Sequence, residues 1–179
     1  MQTVFAVFEV NIGPEKLLIH MNEKLYQVKH QWDTARHSNA DYELHLILRG
    51  SCELDVEDRL HRLREGQAVI IAPGQYHHSV QRPGEFEHFS VSFSLAEGPL
   101  LNLLRSAVPD CRICNVTPDI TNLCRGIFYE SAAGNPFRRE MMHAQLTQLM
   151  LSSFRLHIGQ IGCNETVFYI YSVNFTYLY

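Results

Sequence analysis

"HSNADYELHLILRG", residues 37–50, alternates in the way a two-faced strand does. Successive side chains of a strand point to opposite faces, so Glu43, His45 and Ile47 share one face while Leu44, Leu46 and Leu48 share the other. His37 and Asn39 extend the first set. The first face is polar where it begins and apolar where it ends, which a strand facing only solvent does not need. A small barrel resolves the pattern by giving the polar face to an internal cavity and the leucines to outer packing.

The neighbouring chain reads the same way. From residue 3 to about 95, short β-prone runs follow one another: "TVFAVFEV", "LYQVKHQW", "SCELDVE", "RLHRL", "QAVIIAP", "HHSVQ" and "FEHFSVSFSL". The breaks "EDR", "REG" and "RPGE" separate them, and Gly50 and Gly66 stand where strands reverse. This is the signature of an all-β sandwich or barrel. After "EGPLLNLL" helical spacing takes over. Helices are predicted over Pro99–Val108, over Asp119–Ser131 behind Thr117-Pro118, and from an Asn135 N-cap with Pro136 at the first position through "FRREMMHAQLTQLMLSSFRLH". On the last, Met142, Leu146, Leu149, Ser153 and Leu156 form one stripe, widened by Met141, Met150 and Phe154. So broad a stripe suits packing on the barrel, a partner helix across a dimer axis, or both.

The whole chain narrows the function. Its 179 residues, 46% hydrophobic, suffice for one compact domain with a helical appendage. A net charge of -4 and a pI near 6.2 give no general attraction for phosphate backbones or anionic lipids. The start "MQTVFAVFEVNIG" lacks a basic leader, no run is long enough to span a membrane, and five cysteines without framework spacing suit a reducing compartment. A soluble cytoplasmic protein is expected. "CRIC", with Cys111 and Cys114, has no second pair and reads as chance spacing. No GxSxG, phosphate loop or HExxH supports a hydrolase or kinase.

Two further polar clusters match the first strand. In "APGQYHHSV", Tyr76, His77, His78 and Ser79 follow a Pro73-Gly74 turn. In "FEHFSVSFSL", Phe86, His88, Ser90 and Ser92 share one face, and Glu87, Phe89, Val91 and Phe93 the other. Three polar faces in one small barrel suggest a common pocket.

These spacings resemble the cupin barrel. Its first motif is present as His37-x-Asn39, Glu43 and Gly50, with Asn39 where a second histidine is expected and Gln31 in place of the leading glycine. Its second is present as Gly66, Gly74 and His77, with the proline displaced by one to Pro73. Within cupins, "LILRG", "LREGQAVIIAPGQYHHSV" and "FEHFSVSF" are similar to the N-terminal sensor domains of AraC-type transcription regulators, over roughly residues 30 to 160. The resemblance implies a mainly β fold with C-terminal helices, a double-stranded β-helix or jelly-roll barrel. It divides the chain into a sensor barrel (1–97), a helical dimerisation region (98–160), and a linker with the truncated start of a DNA-binding domain (161–179), whose helix-turn-helix is not in this chain. It also implies an N-terminal arm, residues 1–15, folded over the pocket mouth.

The leading expectation is a non-enzymatic sensor and homodimer that binds a small polar effector, a sugar among the candidates, and reaches DNA only through the missing domain. Its walls would be His37, Glu43, His45, His77, Ser79 and Ser90, with Arg36 and His88 in the two roles the resemblance implies. Trp32 would stack on the ligand or belong to the core. The dimer seam would be Met142, Leu146, Leu149, Ser153 and Leu156. The alternative is a metal-dependent cupin enzyme, an isomerase or dioxygenase, holding a divalent ion on His37, Glu43 and His77. Asn39 weighs against it, because a neutral amide oxygen is a poor ligand for a transition metal. A third reading makes the barrel a dimerisation module only. His61 and His78, taken singly, read as satisfied or solvent-facing histidines.

Overall fold

The computed structural model describes residues 6–21, 26–28, 34–81, 84–108 and 111–159. Among the described residues nine strands come first, β1 (Ala6–Ile12), β2 (Glu15–Met21), β3 (Tyr26–Val28), β4 (Tyr42–Arg49), β5 (Ser51–Val56), β6 (Arg59–Arg64), β7 (Gln67–Ile71), β8 (His77–Gln81) and β9 (Glu87–Leu95), and a tenth, β10 (Ile113–Asn115), lies between two helices. The helices are α1 (Pro99–Ala107), α2 (Pro118–Ala132) and α3 (Arg138–Gly159). Among the described residues the strands form a large antiparallel sheet, β1-β2-β9-β4-β7-β10 with β3 also on β9, facing a smaller one, β6-β5-β8. This is the cupin-type sandwich with appended helices.

The alternation read in β4 sorts the core into two layers. Leu44, Leu46 and Leu48 join Val91 and Phe93 of β9 and pack under Leu104 of α1 and Leu146, Leu149 and Phe154 of α3. Between the sheets lies a second, smaller cluster of Ile47, Leu54, Val56, Leu63, Val69, Ile71 and Phe86. Each fully buried Leu, Ile or Phe contributes roughly 1.5–3 kcal/mol. The helix-side layer is therefore the main source of stability, and the space between the sheets is free to carry polar groups at its other end.

Two backbone devices hold the sandwich in shape. Gly50, at φ 82, turns β4 into β5, and a Cβ there would stand 2.2 Å from the Glu85 carbonyl oxygen, so no other residue fits. Glu15 of β2 is buried and accepts a 2.7 Å hydrogen bond from the Leu100 amide. A carboxylate thus caps the first turn of α1, whose own N-cap, Gly98, offers no side chain.

Several expectations are corrected. "EKLLIHM" is a strand, β2, paired with β1 around a two-residue Gly13-Pro14 loop in which Gly13 has φ 60. Residues 6–12 of the expected arm are consequently a sheet strand and do not fold over the pocket mouth. β10 was also unread. α3 begins at Arg138, not Pro136, because Phe137 is left-handed at φ 59 and cannot continue a helix. Met142, Leu146, Leu149 and Ser153 are at most 5% exposed inside this one chain, and Leu156 packs on the same core. The expected dimer seam is thus used up internally. The side of α3 left open carries Met141, Ala144, Gln148, Leu151 and Arg155, all exposed.

Candidate functional site

The strand register builds the site. Residues paired directly across an antiparallel ladder share a face, so His20, Ser92, Glu43 and Ile71 form one inward row across β2, β9, β4 and β7. Ser90, His45 and Val69 form the next, and His88 lies beside Ile47 in the third. From the opposite sheet, β8 turns His77 and Ser79 inward, both buried. The segment before β4 lines up along β8: His37 and His77 exchange both backbone hydrogen bonds, 3.0 and 2.8 Å, and the Gly74 amide donates to the Asn39 carbonyl at 2.8 Å. This bridge carries His37 to the cluster although it precedes the strand.

His77 Nε2 stands 3.0 Å from Glu43 Oε2, and His45 Nε2 is 3.9 Å from the same oxygen. His45 Nδ1 is 3.0 Å from His88 Nε2. The His37 and His77 ring centroids are 4.4 Å apart. Glu43 Oε2, His45 Nε2 and His77 Nε2 are all buried and face one another across these distances. Burial pushes the Glu43 carboxyl up, but hydrogen bonding by His45, His77 and Asn39, with the charge of His45, prevails and holds it well below the ordinary carboxylate range. Burial pushes His77 down, yet Glu43 and the Gln75 carbonyl raise it overall. His88, fully enclosed, is held far below the ordinary imidazole value by burial first and by His45 second. One face therefore combines a permanent carboxylate, a neutral deep imidazole and hydroxyls.

Most of the residues expected from the sequence meet here. Ser79 is inward but already engaged, with its hydroxyl 3.0 Å from Thr34 Oγ1, which also accepts its amide at 2.8 Å. Ser90 is half-buried beside His45. Arg36 departs from its expected role: it is exposed, paired with Asp58 on the β5–β6 turn, and lies 5.7 Å over the Tyr76 ring. A solvent-side carboxylate within reach accounts for the difference. Trp32 lies outside the described residues. His61 is half-buried, and His78 lies 3.9 Å from Asp55. Cys111 and Cys114 are both free and buried; burial pushes Cys111 up to about 12 and raises Cys114, so neither is a reactive thiolate.

Sequence reasoning missed His20, Asp41 and Ser92. His20 Nε2 is 3.7 Å from Asp41 Oδ2, both partly exposed, at the open end of the Glu43 row. The signal was the alternation of β2, where Leu17, Ile19 and Met21 turn to the helices and His20 to the other face. Ser92 had been placed on the right face but given no role.

The residues also fit a metal ion. One ligand atom each from His37, Glu43 and His77 lie within 4.8 Å of one another. His37 Nδ1 donates to the Ala35 carbonyl at 2.8 Å and His77 Nδ1 to the Gln75 carbonyl at 3.0 Å. A carbonyl only accepts, so in each neutral ring Nε2 is left with its lone pair, the arrangement second-shell partners impose on ligating histidines.

The family model described as the AraC-like ligand binding domain matches residues 23–150. Similar solved structures include a cupin superfamily protein from Desulfitobacterium hafniense, 12% identical over 51% of this chain and 76% of that one, TM-score 0.34. An RmlC-like cupin family protein with a double-stranded β-helix fold from Methanocaldococcus jannaschii is 19% identical over 50% and 79%, TM-score 0.32. The cupin domain of Cnp3 from Schizosaccharomyces pombe is 15% identical over 62% and 74%, TM-score 0.37. No curated protein matches the sequence.

Proposed function

The chain belongs to the family of AraC-like ligand-binding domains, and from that premise we propose that it is the effector-sensing and dimerisation domain of an AraC-type transcription regulator, not an enzyme. The effector is small and polar, with sugars among the candidates, and binds between the sheets against His37, Glu43, His45, His77, His88 and Ser90. DNA is reached through a helix-turn-helix domain outside this chain. By linkage, the effector must bind one arrangement of the attached domains better than the other.

The observation that carries this reading is the enclosed cluster of Glu43, His45, His77 and His88 on the inward face, whose polar atoms face one another between the two sheets. Enclosing so many polar groups costs desolvation free energy that their contacts with one another offset only in part, and a ligand that hydrogen-bonds them recovers the rest. Among the described residues, no helix is long and apolar enough to cross a membrane. A thermal-shift screen of sugars and small metabolites tests the proposal. It expects a saturable rise in the unfolding midpoint that Glu43→Gln or His77→Gln abolishes; no response from any polar metabolite would sink it.

One observation favours a second reading. His37, Glu43 and His77 suit a divalent ion, which would supply Lewis-acid chemistry in the pocket of a cupin isomerase or dioxygenase. Metal analysis of protein purified without a chelating tag separates the two. Stoichiometric iron, manganese, nickel or zinc that is lost on His37→Ala and His77→Ala supports the enzyme.

A further inference from the structure

We propose that the β5–β6 turn, Glu57-Asp58, is a positioning element of the pocket, whose two carboxylates hold the backbone segments that carry His37 and His77. The inference rests on the reading of the inward cluster as a binding site and adds what sets two of its histidines in place.

The first sign is strain. Val56 pairs with Arg59 across a two-residue turn, and both central residues are left-handed, Glu57 at φ 51 and Asp58 at φ 62. Such a turn favours Asn-Gly, because an ordinary side chain resists positive φ. Glutamate has neither the short polar side chain of asparagine nor the freedom of glycine, so on backbone grounds it is a poor choice at position 57. Strain kept in a native fold points to a use for the side chain that keeps it.

That use lies on both sides of the turn. The Glu57 carboxylate accepts the Tyr76 amide, and the Glu57 amide donates to the Tyr76 carbonyl at 2.9 Å. The Asp58 carboxylate accepts from Arg36, whose guanidinium lies 5.7 Å over the Tyr76 ring. Asp55 Oδ1 accepts the Asp58 amide at 3.2 Å and ties the turn to β5.

Arg36 and Tyr76 are the middle residues of two matching tripeptides. In Ala35-Arg36-His37 the His37 Nδ1 is 2.8 Å from the Ala35 carbonyl oxygen, and in Gln75-Tyr76-His77 the His77 Nδ1 is 3.0 Å from that of Gln75. His37 and His77 then exchange both backbone hydrogen bonds. Each ring is aimed by the first residue of its tripeptide, and the turn grips the residue between. The ends of the segment are laced separately, Thr34 to Ser79 and Asn39 to Gly74, so the turn acts on the middle, where the rings are. Stability alone does not account for it. The Arg36 and Asp58 side chains are 45% and 78% exposed, and exposed ion pairs contribute little.

The test is Glu57→Gly with Asp58→Gly, which keeps the turn, since glycine accepts both angles, and removes both carboxylates. Nuclear magnetic resonance of the 179-residue chain at neutral pH with EDTA present reads the result. The amides of His37 and His77 are expected to exchange about tenfold faster than in wild type, and their ring C–H signals to shift or broaden. The β4 and β9 amides should keep their protection, and the thermal midpoint should stay within about 2 °C. Glu57→Gln, which keeps an acceptor for the Tyr76 amide, should leave His77 as in wild type. Unchanged His37 and His77 in the double glycine variant would overturn the proposal. So would a uniform fall in protection together with the midpoint, which marks a turn that serves stability alone. Loosened His37 and His77 in a chain that answers no metabolite support the positioning role and overturn the effector reading. A metabolite bound equally by both chains, with the two histidines unmoved, overturns the positioning role and leaves the effector reading standing.

Discussion

His45 Nδ1 lies 3.0 Å from His88 Nε2, which fixes how the two rings share their protons. One must donate and the other accept. The Glu43 carboxylate, 3.9 Å from His45 Nε2, favours a proton on that nitrogen. His45 Nδ1 is then the acceptor and His88 Nε2–H the donor, so polarity runs from the deepest imidazole toward the carboxylate. Replacing His88 by Leu leaves a buried nitrogen without a donor and should cost about 1–3 kcal/mol in urea unfolding. In a double-mutant cycle with His45→Leu, the coupling should be about 0.5–3 kcal/mol. Additive effects would mean that the contact does not hold the two rings together.

The pH dependence of stability should carry two opposite signs. His77 is raised above its ordinary value of 6.5 by Glu43, so its stabilisation is complete below that value and fades as pH rises through the raised one. Glu43 is depressed, so its contribution is present above 4.5 and disappears only deep in acid. His88 is depressed by burial, and its reluctance to take a proton destabilises the fold as pH falls below 6.5. The stability gap between wild type and His77→Gln should therefore be widest below pH 6.5 and close as pH rises above it. The gap for His88→Leu should narrow in the other direction, as pH falls. A His77→Gln gap that stays flat across pH would show that the His77–Glu43 pair does not form.

Two glycines, Gly50 of the first motif and Gly74 of the second, should respond very differently to alanine. Both have left-handed φ, 82 at Gly50 and 79 at Gly74. At Gly50 the added Cβ meets the Glu85 carbonyl oxygen at 2.2 Å, whereas at Gly74 nothing lies within 4 Å. Gly74→Ala should cost about 1 kcal/mol, from backbone strain alone. Gly50→Ala should cost well over about 3 kcal/mol or leave no soluble protein. Equal midpoints for the two would refute the account of the β4–β5 corner.

Those glycines also mark where sequence reading works. Alternation in "ELHLILRG" was enough to assign Leu44 to the helix-side core and His45 to the face between the sheets, because burial on both sides enforces a period of two. The β9 faces followed for the same reason. β2 was missed because "EKLLIHM" runs Leu17, Leu18 and Ile19 together, and what buries alternate residues is a set of helices nearly a hundred positions downstream. With β2 unread, His20 and Ser92 had no row to join. Arg36 was misplaced because a long flexible side chain goes to whichever carboxylate the tertiary fold brings near. Asp58 sits on a turn whose position local pattern does not specify.

The cap on α1 gives a stability test remote from the pocket. Glu15 Oε1 accepts the Leu100 amide at 2.7 Å, and a Cβ on Gly98 would stand 2.7 Å from Glu15 Oε2. Glu15→Ala removes the cap and should cost about 1–2 kcal/mol. Gly98→Ala should cost a similar amount by pushing the carboxylate off the helix. Together the two should cost less than their sum, since the second change has no cap left to disturb. Urea unfolding of the three variants checks this, and strict additivity would contradict a shared cause.

The last prediction concerns assembly. Leu149 is fully buried on the inward side of α3, while Met141 is 48% and Leu151 41% exposed on the outward side. If two copies associate through α3, the seam must use the outward residues, because the inward ones are already packed on the sheet. Met141→Glu with Leu151→Glu should convert the dimer to monomer in sedimentation experiments while the thermal midpoint of the barrel stays within about a degree, as exposed substitutions rarely move it further. Leu149→Ala should instead cost about 2–5 kcal/mol of stability whatever the state of assembly, because it opens a cavity in the chain's own core. A dimer that survives the double glutamate variant would place the interface elsewhere on the molecule. A monomeric wild type would remove dimerisation from the proposed function and leave the pocket untouched.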